Sequence, residues 1–192
     1  IYSNFTPRYF KTGEGFLLDY DNQVVVFGIQ GFIESFLIEQ WNRYFFKRPK
    51  FIAVGQYQKQ IEDCLGIENF DCSHLESLHD LGYLPIEIKA LPEGSRVNIK
   101  VPFLTITNTH PDFAWLTNYL ETLISCQMWQ PITSATIAYE YRKLLNKYAQ
   151  ETTGTTEFVQ WQGHDFSMRG MSSVESAILS GMGHLLSFTG TD

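Results

Sequence analysis

The chain has 192 residues; 44% are hydrophobic, 4 Trp, 10 Tyr and 15 Phe stand among them, and only 18% are charged. A chain of this length buries roughly 70% of its unfolded surface, so a disordered acidic tail is excluded and a dense, ring-rich interior is expected. Fourteen basic against 21 acidic residues give a net charge of -7, which excludes general attraction to nucleic acid or an anionic membrane and leaves phosphate binding to local features.

Apolar runs fall far short of the ~20 residues a membrane span needs, so a soluble protein is expected. Cys64, Cys72 and Cys126 make no CxxC pair. They predict bland thiols in a reducing cytoplasm rather than a disulfide framework or a zinc site. Ile1, in place of an initiator Met, predicts an internal fragment.

Along the chain, residues 1–10 read as a strand leading to Pro7 and Arg8, and TGEGFLLDYDNQ reads as a loop with a short strand. FGIQGFIESFLIEQWNRYFFK reads as a helix: Phe32, Ile33, Phe36, Leu37, Trp41 and Phe45 share one face until Pro49 stops it. Shorter helices are predicted at 56–65 and 73–82. The period then changes from 3.6 to 2, and IEIKA, the turn LPEGS and VNIKVPFLTITN predict a small strand-rich module at about 84–108. Pro111 opens a helix whose stripe of Trp115, Leu116, Tyr119, Leu120 and Leu123 reads as core. Pro131 is expected to break that helix, SATIAYEYRKLLNKYAQ to form another, and residues 151–156 to make a seam. His74, His79 and His110 lack metal-ligand spacing and read as surface or helix-end residues. His184 reads as a structural residue opening a strand. Trp115 and Trp129 read as packing residues.

From residue 157 the pattern is strand (EFVQW), loop (QGHDFSMRG), helix (MSSVESAILSGMG), strand (HLLSF) and loop (TGTD), a parallel strand-helix-strand crossover. Ser172 and Glu175 fit a capping box at the start of that helix. Ligands of such units bind outside the carboxyl ends of the strands, so the loop from His164 to Gly170 and the loop from Gly190 to Asp192 are predicted to share one rim. The side chains there suit a planar, amide-bearing, anionic ligand. Phe166 offers a ring face, Arg169 a cationic fork near a helix N-terminus, and Asp192 an acceptor for an amide N–H. Taken singly, each has a plainer reading: Phe166 as core, Arg169 and Arg8 as solvated charges, Asp192 as a fraying end.

LPIEIKALPEG, NT-P--AWLTNYLETL, W-PIT-AT, HDFSMRG-SS-E and HLLSFTGTD occur in this order across residues 83–192, with fainter likeness in IYSNFTPR and VVVFGIQGFI. Together these blocks resemble the nicotinamide phosphoribosyltransferase family, in its bacterial or phage form. The resemblance covers most of the chain and is weakest at 46–80. It implies an α/β (α+β) fold of the type II phosphoribosyltransferase kind. An N-terminal helix-and-strand region over 1–150, holding the β module, would precede the first strand-helix-strand unit of an incomplete parallel barrel over 151–192.

The resemblance also implies the activity: nicotinamide and 5-phosphoribosyl pyrophosphate are joined to give nicotinamide mononucleotide and pyrophosphate in NAD salvage, by a homodimer with its sites at the subunit interface. Carried onto this sequence, Phe166 would stack on the pyridine ring, Asp192 would accept from the carboxamide, and His164 would line the channel beside the ring. Arg169 would hold the ribose-phosphate region, and Arg8 would reach the phosphate, offered across the dimer. Mg²⁺ would be carried mainly by the pyrophosphate and water. No catalytic residue falls within these 192 positions. The family's Asp-x-Tyr-Lys segment would precede Ile1, and its catalytic histidine would follow Asp192, so the isolated chain is expected to be inactive. Ser167-Met168 replace the family's Gly-Tyr. Two alternatives stand beside this reading: a nicotinate phosphoribosyltransferase, whose substrate carboxylate an ionised Asp192 would repel, and a non-catalytic scaffold or dimerisation half.

Overall fold

The computed structural model describes residues 1–8 and 20–192. Of the strand expected over 1–10, Tyr2–Phe5 forms β1. Its last two residues, and most of the loop expected at 12–23, lie outside the described residues. The fold mixes helices and strands, as the α/β expectation requires, and its contacts divide it into two compact units.

The first unit comprises Ile1–Tyr2, Gln30–Glu87 and Ile106–Tyr119. Its first helix opens as α1, Ile29–Phe32, and continues in wider π-type turns over Ile33–Gln40 and Asn42–Phe46. Aromatic residues four apart meet along it: Phe32 stacks on Phe36 at 5.7 Å and Trp41 meets Phe45 edge-on at 5.3 Å. Pro49 then starts a helix rather than merely stopping one. Its carbonyl accepts from Ile52 N at 2.9 Å and Ala53 N at 3.1 Å, so α2 spans Lys50–Leu65 and begins earlier than residue 56. The third helix, α3, is Ser73–Leu81. Both α2 and α3 end on a glycine in the left-handed region, Gly66 at φ 65° and Gly82 at φ 82°, where a side chain would be strained. Val54, Cys72 and Leu75 form one core cluster of this unit, with Phe45, Tyr57, Phe70 and Trp115 packed against them. Burial, aided by the carboxylates of Asp71, Glu62 and Glu76, pushes the Cys72 thiol up, away from the reactive thiolate.

The second unit comprises Ser3–Ile29, Ile88–Thr105 and Leu120–Asp192. Strand β2, Gln23–Val25, pairs antiparallel with a strand over Arg96–Asn98, with Val24 opposite Val97. With Ile86–Ala90 as β3, Arg96–Asn98 is β4 and Leu104–Asn108 is β5. The Pro-Glu-Gly turn closes as expected: Ser95 N donates to Pro92 O, and Gly94 N to Val26 O. A further sheet has the strand order β1-β5-β3.

The long helix α4, Trp115–Thr153, contains Pro131 and is not broken by it. A mid-helix proline costs about 3 kcal/mol or more, since it removes one hydrogen bond and crowds the preceding turn. Against this stands an unbroken buried stripe of Leu120, Ile124, Met128, Ile132, Ala135 and Ala138. Each larger side chain of that stripe contributes about 1.5–3 kcal/mol, so continuity wins.

The parallel crossover expected near the C-terminus is present, with its strands displaced from the predicted positions. Residues 157–161 are a 3₁₀ turn rather than a strand, because only Val159 of the five is fully buried and nothing rewards alternation. Residues 184–188 continue helical turns, with Leu185 N bonded to Gly181 O and Phe188 N to His184 O. His184 therefore closes a helix instead of opening a strand. The strands are β6, His164–Asp165, and β7, Gly190–Thr191, paired in parallel and joined through α5, Val174–His184. The N-cap of α5 is Ser173, whose hydroxyl accepts Ser176 N at 3.1 Å, one residue later than the expected Ser172. No closed barrel forms among the described residues. None of the described helices is long and apolar enough to cross a membrane.

Candidate functional site

The register of β6 and β7 sets His164 beside Gly190 and Asp165 beside Thr191, so Phe166 and Asp192 both leave the carboxyl ends of adjacent parallel strands. This is the edge at which such sheets bind ligands. Two anchors hold it. The Asp192 N–H donates to the Asp165 carbonyl at 3.0 Å, which fixes the backbone beyond β7. The Asp165 carboxylate accepts Ser167 N at 2.6 Å and the Ser180 hydroxyl at 3.2 Å, tying the loop after β6 to its own first turn and to α5. Ser167–Arg169 consequently form a short 3₁₀ turn. Ser167 and Met168 are thus accommodated where the resembled family carries Gly-Tyr.

The side chains form a connected series. The Arg169 guanidinium lies 5.9 Å from the centre of the Phe166 ring, and the Phe166 ring lies 4.4 Å from that of His164, tilted by 38°. His164 Nε2 in turn lies 3.7 Å from Asp192 Oδ1. Phe166 is 57% exposed. An aromatic ring held in place yet left open is what stacking on a flat ligand requires.

Phe166 and Asp192 front different hollows. Phe166 and His164 line a cavity of about 600 Å³ together with Trp129, Gln130, Tyr141 and Phe188. Asp192 lines a smaller one of about 170 Å³ with Met168, Ile178, Met182 and Thr191. Ser167 borders both. Trp129, expected to be a packing residue, is 57% exposed at the larger hollow. Arg8 is exposed, and no hydrogen bond, ion pair or ring contact among the described residues joins it to His164, Phe166, Arg169 or Asp192. Among the described residues no three His, Cys, Asp or Glu side chains converge to hold a metal.

Asp165 and Gly190 were not singled out by sequence reasoning. Asp-x-Ser is the spacing of a side-chain-to-backbone turn and was available as a signal for Asp165. Gly190 has a spatial reason with no local signature: a Cβ there would collide with the His164 ring.

No protein-family model matches the chain. Over all 192 residues it is 53% identical to a nicotinamide phosphoribosyltransferase of Acinetobacter baylyi, of which it spans 38%. Over 112 residues it is 40% identical to a nicotinamide phosphoribosyltransferase of Mycoplasma pneumoniae, covering 57% of this chain and 25% of that protein. The likeness to the Acinetobacter protein runs the whole length of this chain, and that to the Mycoplasma protein runs over 112 residues of it. Its fold is that of the matching part of a crystal structure of human nicotinic acid phosphoribosyltransferase, with a TM-score of 0.57 at 19% identity over 88% of this chain and 28% of that one.

Proposed function

We propose that the chain is the part of a nicotinamide phosphoribosyltransferase that receives nicotinamide, in an enzyme joining it to 5-phosphoribosyl pyrophosphate. The observation that carries this is the run Arg169, Phe166, His164, Asp192 at the carboxyl ends of two parallel strands, in a chain similar over its whole length to the Acinetobacter protein of that name.

The chemistry asks little of the protein beyond position and charge. The pyridine nitrogen donates its lone pair to the anomeric carbon as the bond to pyrophosphate breaks, and pyrophosphate leaves with the bonding electrons. That nitrogen carries no proton to lose, so no general base is needed at the forming bond. The open Phe166 face would hold the ring flat, and the carboxamide would reach past Ser167, which borders both hollows, to the Asp192 carboxylate, which would accept from its N–H while repelling the carboxylate of nicotinate. Arg169, beside the ring, would meet the phosphoribosyl group with its guanidinium.

Arg8, exposed, would act at the phosphate of a second subunit in a homodimer with shared sites. The three free cysteines suit a cytoplasmic protein. Mg²⁺ would enter as a complex with pyrophosphate oxygens and water.

The test is direct. The full-length protein, given nicotinamide, 5-phosphoribosyl pyrophosphate and Mg²⁺, should form nicotinamide mononucleotide and pyrophosphate in equal amounts. Absence of both products, or exclusive use of nicotinate, would overturn the reading.

A further inference from the structure

His164 occupies a more constrained place than the side of a channel requires. Its ring lies against the Cα of Gly190, its register partner across the parallel pair, and the three atoms nearest to a Cβ built at Gly190 all belong to that imidazole. Its ring centre is 4.4 Å from that of Phe166, the two rings tilted by 38°, and Nε2 is 3.7 Å from Asp192 Oδ1. The Asp192 backbone is already fixed by its N–H bond to the Asp165 carbonyl at 3.0 Å. His164 stands beside one of the two oxygens of the Asp192 carboxylate.

We propose that His164 is a positioning residue for nicotinamide: given room by Gly190, its ring backs the Phe166 face and turns the Asp192 carboxylate so that its other oxygen meets the carboxamide. Gly190 is then a specificity determinant through space alone. This rests on the proposed reaction. With His164 removed, Phe166 loses the ring behind it and Asp192 can rotate, so discrimination between the amide and its acid falls even though both recognition groups remain.

The experiment is a double-mutant cycle in the full-length protein with His164→Ala, Gly190→Ala and the pair, plus His164→Gln, which keeps an N–H donor of similar reach. KM and kcat are measured for nicotinamide and nicotinate, with the thermal midpoint of each variant. His164→Ala and Gly190→Ala should each raise KM for nicotinamide by about tenfold with kcat little changed, and lower the nicotinamide-to-nicotinate ratio of kcat/KM by about the same factor. His164→Gln should restore most of the ratio. Gly190→Ala should lower the thermal midpoint in the wild-type background and have no added effect on midpoint or ratio once His164 is Ala. Additive losses, or an unchanged ratio in an active His164→Ala protein, would overturn the proposal and leave the reaction standing. A wild-type protein that does not use nicotinamide would overturn both.

Discussion

Gly183 of α5 faces the carbonyl oxygen of Pro131 in α4. A Cβ at position 183 would stand 2.7 Å from that oxygen and 2.9 Å from the Ala135 nitrogen, both backbone atoms that cannot swing aside. The same helix pair is bonded by Ser134 Oγ donating to Ser180 O at 2.7 Å and Gln130 Nε2 donating to Ser176 O at 2.6 Å. The position of α5, and with it the crossover between β6 and β7, depends on that close approach. Gly183→Ala should therefore lower stability by about 1–3 kcal/mol, read as a lower urea midpoint with an unchanged slope. An unshifted midpoint would show that the helices can separate without cost.

Thr136 links α4 to β2. Its buried hydroxyl donates to Ile132 O at 2.7 Å and accepts Val25 N at 2.9 Å. Thr136→Val keeps the shape and strands the Val25 N–H, so about 1–3 kcal/mol of stability should be lost. Amide exchange should then quicken at Val25 in particular, which a uniform loss of packing would not produce.

Asp165 anchors the loop that presents Phe166. Asp165→Ala removes a charged acceptor from Ser167 N and from the Ser180 hydroxyl, and each charge-assisted bond contributes about 1.5–3 kcal/mol. Ser180→Ala should cost less, since the Ser167 bond survives. If the proposed reaction holds, Asp165→Ala also raises KM for nicotinamide by way of the loosened Phe166, and kinetics together with thermal melts would separate the two effects.

A charge network closes the second unit. Arg96 is bonded to Asp21, Lys143 Nζ lies 3.8 Å from the same carboxylate, and Arg96 and Lys143 both face Glu140, which is 2% exposed. Partial burial pushes the Asp21 carboxyl up, but the Arg96 hydrogen bond and the charges of Arg96 and Lys143 outweigh it and hold the group below its ordinary range. A folded pKa below the unfolded one favours the folded state at neutral pH, and that contribution is lost as pH falls through the folded value. Asp21→Asn should cost under about 1 kcal/mol near neutrality, because the pair is partly exposed, and should flatten the loss of stability below about pH 4. Denaturant melts across that range check the sign.

Much of the architecture was legible in the sequence where one physical signal dominated. The helix expected at 73–82 is α3, Ser73–Leu81, and the period of two in IEIKA is β3, Ile86–Ala90. The misplaced elements are those where local propensity met a tertiary constraint. Pro131 should end a helix on local grounds but lies within a stripe buried on both sides of it. EFVQW carries strand-forming residues, yet only Val159 of the five is fully buried. The crossover was foreseen as a topology, while its strands proved to be the stretches read as loops, because two-residue strands have no period to detect. At the site, Phe166, Arg169 and Asp192 stand out by residue type and by resemblance, and His164 by resemblance alone. Their linkage through His164 depends on the parallel register, which no local pattern encodes.

The most direct test is a crystal structure of the full-length protein with nicotinamide bound. The ring should lie flat on Phe166 with its carboxamide nitrogen within hydrogen-bond distance of the Asp192 carboxylate and His164 undisturbed beside it. Nicotinamide bound away from these two side chains, in a protein that nonetheless turns it over, would contradict the account.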